Sequence, residues 1–259
     1  MLVRGRFSVR QWAPHPRCRL PVAGCRSIVM IIFQNVTKIY KMDDHETVAV
    51  EDINLHIHQK EFVSMVGKSG AGKSTLIKLL TGEEKPTKGK VSFGSYNVNK
   101  LKPNELPFLR RKMGVIFQDF RLLPNKNAYE NVAFALEVAG RTQQEIMEFV
   151  PQALEMVGLK DKMRNFPREL SGGEKQRVAI ARAMINHPDV IIADEPTGNL
   201  DPVNTWEILK LLLKINELGT TVILTTHNKD IVNSINKRVI SIEDGRVIRD
   251  EEEGKYILV

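Results

Sequence analysis

A run of nine residues, 67–75, has the residue types and the spacing to hold a phosphate group. Its first eight residues match G-x-x-x-x-G-K-[ST], and the run lies between an apolar stretch, Glu61–Val66, and a helical pattern over Leu76–Thr81. Glycines let backbone N–H groups surround a phosphate, and the start of a helix adds a partial positive charge. We expect Lys73 to reach the β- and γ-phosphates and the Ser74 hydroxyl to ligate Mg²⁺. The residues predicted to bind a nucleoside triphosphate are Gly67, Lys68, Ser69, Gly70, Ala71, Gly72, Lys73, Ser74 and Thr75.

Two acidic residues, Asp194 and Glu195, follow the apolar run Val190–Ala193. Carboxylates at the carboxyl end of a buried strand lie where open α/β sheets bind ligands. Asp194 suits the Mg²⁺ shell, through water, and Glu195 suits a general base that polarises an attacking water. A plain acid pair at a strand end or helix start is the structural alternative, and the phosphate-binding pattern upstream disfavours it.

A third pattern, L-S-G-G-E-K-Q-R over residues 170–177, precedes a helical apolar spacing over Val178–Ile185. Ser171 is a good N-cap, and two glycines let a phosphate approach the helix start closely. The first five residues resemble the signature of the ATP-binding cassette (ABC) ATPases, and the resemblance covers essentially all of residues 30–259. The family's motifs are matched, in order, at residues 67–74, 118, 170–174, 190–195, 198–201 and 227.

The resemblance implies roles for residues that would otherwise be ordinary. Tyr40 is similar to the aromatic residue that stacks on adenine. Gln118, after the apolar run Val115–Phe117, is similar to a residue that senses Mg²⁺ and the attacking water and couples them to the helical subdomain. His227 resembles the histidine that contacts the γ-phosphate. The resemblance thus implies a catalytic set of Glu195, His227, Lys73 and Gln118, and metal-site residues Ser74, Gln118 and Asp194.

The resemblance also implies a homodimer that forms through ATP. The signature helix of one subunit would cap the γ-phosphate held by the other, and the loop 198–201 would meet the opposite subunit. One phosphate-binding pattern and one signature are present without an internal repeat, so two ATP sites would form between two chains. The residues that this arrangement adds to nucleotide binding are Ser171, Gly172, Gly173, Glu174 and Asp201.

The stretch 106–124 discriminates within the family. Its F-L-R-R and F-Q-D-x-R-L-L-P segments resemble the branch that acts in bacterial cell division, whose integral membrane partner is FtsX. This implies an ATP hydrolase, peripheral on the cytoplasmic side of the membrane, that drives FtsX and so regulates cell-wall hydrolases. We expect some of Phe120, Leu122 and Leu123 to be buried and some to form a docking groove. Alternatives are a lipoprotein-release or macrolide exporter, a soluble ABC ATPase acting on DNA or ribosomes, and a scaffold without turnover.

Charge and cysteine content restrict the kinds of partner and metal site that the chain can have. The chain has 259 residues and a formal net charge of +7, but residues 1–29 contain six arginines and no acid. The remaining residues are nearly neutral, so we predict no nucleic-acid partner. Both cysteines, Cys18 and Cys25, also lie in this segment, which excludes a cysteine metal site elsewhere. We interpret residues 1–29 as a mis-assigned start or a disordered leader, with a transit peptide as the rival.

The predicted fold is α/β: a P-loop NTPase with a mostly parallel core sheet, an antiparallel N-terminal β region and a helical subdomain. The ABC ATPase domain is expected over residues 30–259, with the β region over about Met30–Ile57 and the subdomain over about 108–170. Helical spacing marks Ala128–Ala139 and Gln143–Val157. Asp244-Gly245 indicates a hairpin turn near the end of the chain.

Overall fold

The computed structural model describes residues 29–42 and 45–254. The predicted leader lies outside them, apart from the backbone of Val29. Within the described residues the strands are β1 (Val29–Met42), β2 (His45–His58), β3 (Phe62–Val66), β4 (Lys88–Phe93), β5 (Tyr96–Asn97), β6 (Met113–Phe117), β7 (Val190–Asp194), β8 (Thr221–Thr226), β9 (Arg238–Glu243) and β10 (Arg246–Glu251). The α-helices of the same residues are α1 (Lys73–Leu80), α2 (Leu106–Arg110), α3 (Ala128–Val138), α4 (Gln143–Met156), α5 (Gly172–Met184), α6 (Pro202–Glu217) and α7 (Lys229–Ile235).

Two sheets organise these elements. The larger has the strand order β10-β9-β3-β8-β7-β6, and all its pairings are parallel except that of β9 with β10. Three of its four inner strands, β3, β8 and β7, are buried along almost their whole length, as expected of strands covered on both faces. Parallel strands end at one edge of the sheet. Residues that follow β3, β6, β7 and β8 are therefore brought to the same edge.

The smaller sheet is antiparallel, with the order β2-β1-β4-β5. The long pair β1 and β2 covers the region that the sequence predicts as antiparallel, and β4 and β5 extend it by residues that were not foreseen. The hairpin predicted at Asp244-Gly245 is confirmed by the antiparallel pairing of β9 with β10. Its two turn residues have φ of 46° and 75°, the left-handed conformation that a tight hairpin turn requires.

Three of the helices, α3, α4 and α5, begin at capping boxes that the sequence encodes. Asn127, Thr142 and Ser171 each accept a hydrogen bond from the N–H of a glutamate three residues later, and each glutamate bonds back to the cap. The predicted helices over 128–139 and 143–157 are thus confirmed as α3 and α4. Helix α5 begins at Gly172, so Ser171 is its N-cap as predicted.

One hydrophobic cluster joins helices α3 to α7 to the larger sheet, and a second joins α1 and α2 to strands of both sheets. Buried side chains of α3 and α4 pack in the same cluster as those of α5, α6 and the strands β6 to β8. Helix α5 mediates this contact, lying against both α3 and β6. The separate helical subdomain over about 108–170 stays a prediction. No helix of the described residues is both long and apolar enough to cross a bilayer.

Candidate functional site

The loop between β3 and α1 is shaped by glycines at close backbone contacts. A Cβ on Gly67 would lie 2.2 Å from the carbonyl oxygen of Ile242. A Cβ on Gly72 would lie 2.6 Å from the carbonyl oxygen of Ala49, and the φ of Gly72 is 102°. Gly72 is also the N-cap of α1 and offers no side-chain cap. The first N–H groups of α1 therefore have no capping side chain and suit an anion.

Lys73, the first residue of α1, folds back over this loop. Its Nζ donates to the carbonyl oxygens of Gly67 at 2.7 Å and Lys68 at 3.1 Å. The same nitrogen lies 3.9 Å from Oε1 of Glu195, and the Lys73 side chain is only 7% exposed. A buried ammonium held at this place can meet phosphate oxygens without first reorganising the loop.

Three oxygen-bearing side chains meet beside the start of α1. The hydroxyl of Ser74 donates to Oδ2 of Asp194 at 3.3 Å, and the hydroxyl of Thr225 donates to Oδ1 at 2.7 Å. Hydroxyl and carboxylate oxygens are the donors that Mg²⁺ takes, usually with substrate phosphates completing its shell. No group of three or more His, Cys, Asp or Glu among the described residues could hold a metal. The residues fit an ion that is shared with a bound nucleotide.

Glu195 and His227 form a pair at the ends of β7 and β8. Nδ1 of His227 lies 3.0 Å from Oε2 of Glu195 and 3.1 Å from Oε1. The backbone of Glu195 is left-handed, with φ of 48°, and its N–H donates to both the carbonyl oxygen and Oγ1 of Thr225 at 3.1 Å. Glu195 is 18% exposed and His227 is 66% exposed. A strained backbone held by its neighbours is typical of a residue whose side chain must be aimed.

Gln118 lies at the end of β6 and is bound to the loop after Glu195. Its Nε2 donates to Oδ1 of Asn199, and Nδ2 of Asn199 donates to the carbonyl oxygen of Gln118, both at 3.3 Å. A Cβ on Gly198 would lie 2.7 Å from Nε2 of Gln118. The absence of a side chain at Gly198 is therefore what lets Gln118 lie here.

These groups line one cleft of about 860 Å³. Most of the predicted site residues lie on its wall. They are Lys68, Ser69, Gly70, Ala71, Gly72, Lys73, Ser74, Thr75, Gln118, Asp194, Glu195 and His227. Gly67, the first residue of the loop, is not on this wall, but its carbonyl oxygen accepts a hydrogen bond from Lys73.

The other predicted residues lie outside this wall. Tyr40 is half-buried on β1, with Nζ of Lys38 at 4.8 Å from its ring centre. Ser171, Gly172, Gly173 and Glu174 form the start of α5, where the Ser171 N–H donates to Glu174 and holds the pKa of that carboxyl below its usual value. Asp201 is the N-cap of α6, and hydrogen bonds from Asn204 lower its pKa. One chain does not bring these groups to its own cleft.

Sequence reasoning missed two residues of the site. Thr225 supports both Asp194 and Glu195, and Asn199 holds Gln118. A sequence signal for Thr225 was present, because its hydroxyl lies near the end of the apolar strand that precedes His227; the structure shows that this hydroxyl is fully buried. Asn199 was noted within the loop 198–201, but nothing in its spacing indicates contact with a residue 81 positions earlier.

The segment Phe120–Leu123 begins two residues after Gln118, and its Arg121 lines the cleft. Phe120, Leu122 and Leu123 are all half-buried, and Leu122 packs against the main core. Each of the three therefore keeps part of its side chain at the surface.

Comparison with known proteins identifies the family. The ABC transporter family profile matches residues 50–198. The chain is 54% identical over 219 residues to the cell division ATP-binding protein FtsE of Bacillus subtilis, covering 85% of this chain and 96% of that protein. It is 44% identical over 218 residues to the protein of that name in Escherichia coli, covering 84% and 97%. A dimeric ATP-binding cassette in a post-hydrolysis state, bound to ADP and Pi, has a TM-score of 0.80 at 38% identity and covers 88% and 100%. The chain therefore belongs to the ABC transporter family and has the fold of its ATP-binding cassettes.

Proposed function

We propose that this chain is the ATP-binding and ATP-hydrolysing subunit of a membrane-coupled machine in bacterial cell division. Its work is to dimerise on ATP and to drive an FtsX-like integral membrane protein that regulates cell-wall hydrolases. We place it on the cytoplasmic side of the bacterial cell membrane, as a peripheral subunit without a nucleic-acid partner.

The observation that carries the chemistry is the Glu195–His227 pair, at 3.0 Å, in the same cleft as Lys73. The loop N–H groups and Lys73 bind the β- and γ-phosphates. Ser74, Asp194 and Gln118 would hold Mg²⁺, which would supply charge neutralisation on the phosphate oxygens. Glu195 accepts the proton of the attacking water, and His227 orients that carboxylate and faces the γ-phosphate.

The dimer is supported by the predicted nucleotide-binding residues that do not line the cleft of their own chain. Ser171, Gly172, Gly173, Glu174 and Asp201 do not line it, so a second copy can supply them from outside. A neighbour of similar fold is described as dimeric. We assign Tyr40, on β1, to adenine stacking.

The division role is supported by the names of the relatives. Proteins named cell division ATP-binding protein FtsE, from several bacteria, are 44–54% identical over 84–88% of the chain. A lipoprotein-release or macrolide exporter is not favoured by these relatives. The half-buried Phe120, Leu122 and Leu123 suit a docking surface for the membrane partner.

The experiment is a pull-down from the native host with a tagged chain that begins at Met30 and carries Glu195→Gln. Membranes are solubilised with ATP present, and the co-purifying protein is identified by mass spectrometry. A four-helix protein with a large extracytoplasmic loop is the expected partner. Recovery of an exporter permease, or of no membrane protein despite an ATP-bound dimer, would overturn the division role.

A further inference from the structure

The chain leaves Gln118 through two consecutive residues in an unfavourable conformation. Phe120 and Arg121 have φ of 60° and 47°. The left-handed region is strained for residues with a Cβ, and two such residues in succession are rarer than one. Their N–H groups close tight turns, with Phe120 donating to Phe117 at 3.2 Å and Arg121 to Asp119 at 2.6 Å. Something outside the loop must therefore hold this conformation.

The guanidinium of Arg182 is bound to both strained residues. Its Nη2 donates to the carbonyl oxygen of Phe120 at 2.9 Å, and its Nη1 donates to that of Arg121 at 2.7 Å. A planar fork with two parallel donors matches two adjacent carbonyls in one orientation. Arg182 thus fixes the peptide planes on both sides of Arg121.

The charge of Arg182 makes this contact specific. The side chain is half-buried, and burial lowers its pKa, although an arginine stays protonated at neutral pH. Among the described residues, no carboxylate is bound to it, and the two loop carbonyls are its acceptors. The hydrogen bonds of this half-buried guanidinium go to main-chain oxygens. They therefore depend on the backbone conformation of the loop and not on the side chains at positions 120 and 121.

Arg182 is held at this place by the packing of α5 on β6. A Cβ on Gly114 of β6 would lie 2.4 Å from the carbonyl oxygen of Ala183, so the glycine permits a close approach of the helix. Strand β6 ends at Phe117, one residue before Gln118. Helix α5, which Ser171 caps at one end, therefore contacts near its other end the loop that follows Gln118.

We propose that Arg182 is a positioning residue for ATP hydrolysis, which holds the strained Phe120–Arg121 turn and thereby sets the place of Gln118. The proposal rests on the proposed hydrolysis of ATP. It adds a connection within one chain: α5 joins the Ser171 region to the Gln118 loop. Movement of α5 would be transmitted to Gln118 through two hydrogen bonds, without contact between Arg182 and nucleotide.

The test uses full-length variants and separates strain from packing. Arg182→Met removes the donors and keeps the stem, and Arg182→Lys keeps the charge but cannot donate to both carbonyls in a fork. Each change is made in two backgrounds, Arg121→Gly and Arg121→Ala. Both backgrounds lose the Arg121 side chain, but only glycine relieves the left-handed strain. Lys210→Met, exposed on α6, is the surface control.

We expect Arg182→Met to lower kcat about 10- to 100-fold with the KM for ATP and the ATP-binding stoichiometry unchanged, because only Gln118 is misplaced. Arg182→Lys should fall between Met and wild type. The loss should be several-fold smaller with Gly at position 121 than with Ala. A structural role alone would instead lower the fraction of protein that binds ATP.

Three results would overturn the proposal: wild-type kcat in Arg182→Met, wild-type kcat in Arg182→Lys, or equal losses in the two backgrounds. If the wild-type chain does not hydrolyse ATP, the proposed function fails. The contact of Arg182 with the strained turn can then still be tested by the melting temperature. Arg182→Met should lower the melting temperature more in the Arg121→Ala background than in the Arg121→Gly background. Equal shifts would contradict it. If Arg182→Met does not fold, Arg182→Lys is compared in the two Arg121 backgrounds instead.

Discussion

Nδ1 of His227 lies 3.0 Å from a carboxylate oxygen of Glu195, and the same carboxylate lies 3.9 Å from Nζ of Lys73. The residues belong to three different elements, since Glu195 follows β7, His227 follows β8 and Lys73 begins α1. The parallel order of β3, β8 and β7 places the ends of these strands side by side. The carboxylate is therefore held between two cationic or hydrogen-bonding groups, and its orientation is determined before a nucleotide arrives.

Lys73→Ala should lower the affinity for ATP by about 100-fold, because it removes a charge-assisted contact to the phosphates. It also removes the two bonds from Nζ to Gly67 and Lys68 that hold the loop. Equilibrium binding of a fluorescent ATP analogue measures the change. Lys210→Ala is the control, since Lys210 is exposed on α6. Tight binding of ATP by the Lys73→Ala variant would contradict the assignment of the loop 67–75 to phosphate binding.

Gly198→Ala should lower kcat about 10-fold or more while the affinity for ATP is kept. The added Cβ would lie 2.7 Å from Nε2 of Gln118 and would displace that side chain. Steady-state kinetics and ATP binding are measured in parallel. In a Gln118→Ala background the Gly198 change should have little further effect, because the clash is gone. A loss of equal size in both backgrounds would mean that Gly198 acts through another contact.

Asn131→Ala should lower the free energy of unfolding by about 2 kcal/mol or more. Asn131 is fully buried, its Nδ2 donates to the carbonyl oxygens of Leu123, Lys126 and Asn127, and its Oδ1 accepts from the Leu123 N–H. Alanine removes all four side-chain bonds, and the carbonyls of Leu123 and Asn127 keep only their backbone partners. Denaturant unfolding measures the effect. Asn127→Ala removes only an N-cap bond to Glu130, and it should lower the free energy of unfolding by about 1 kcal/mol. Equal losses of unfolding free energy in the two variants would contradict the stabilising role of the Asn131 hydrogen bonds.

Much of this site could be predicted from the sequence, because its main groups stand in short contiguous patterns. A phosphate loop needs glycines and a lysine at fixed offsets, and 67–75 provides them. The acids at 194 and 195 follow a strand that is recognisable by its apolar run. The hairpin at Asp244-Gly245 was equally readable, since two residues with positive φ favour these types.

The rest could not be predicted, and Arg182 illustrates why. Its acceptors are main-chain carbonyls of Phe120 and Arg121, which every residue type offers, so no pattern of side chains marks the contact. Asn199 and Gln118 pair across 81 positions through the ends of two strands, and only the sheet order reveals it. Tyr40 was predicted from resemblance and does not line the cleft wall, so its stacking role stays a prediction.

The central claim is that Glu195 is the base for hydrolysis in a site that binds ATP without it. We would measure ATP turnover and ATP affinity together for wild type, for Glu195→Gln and for the exposed control Glu217→Gln. The account predicts that Glu195→Gln lowers turnover by roughly 10²–10⁴-fold, the usual contribution of a general base, with the affinity for ATP kept. The Glu217 variant should behave as wild type. Unchanged turnover in Glu195→Gln would contradict the account.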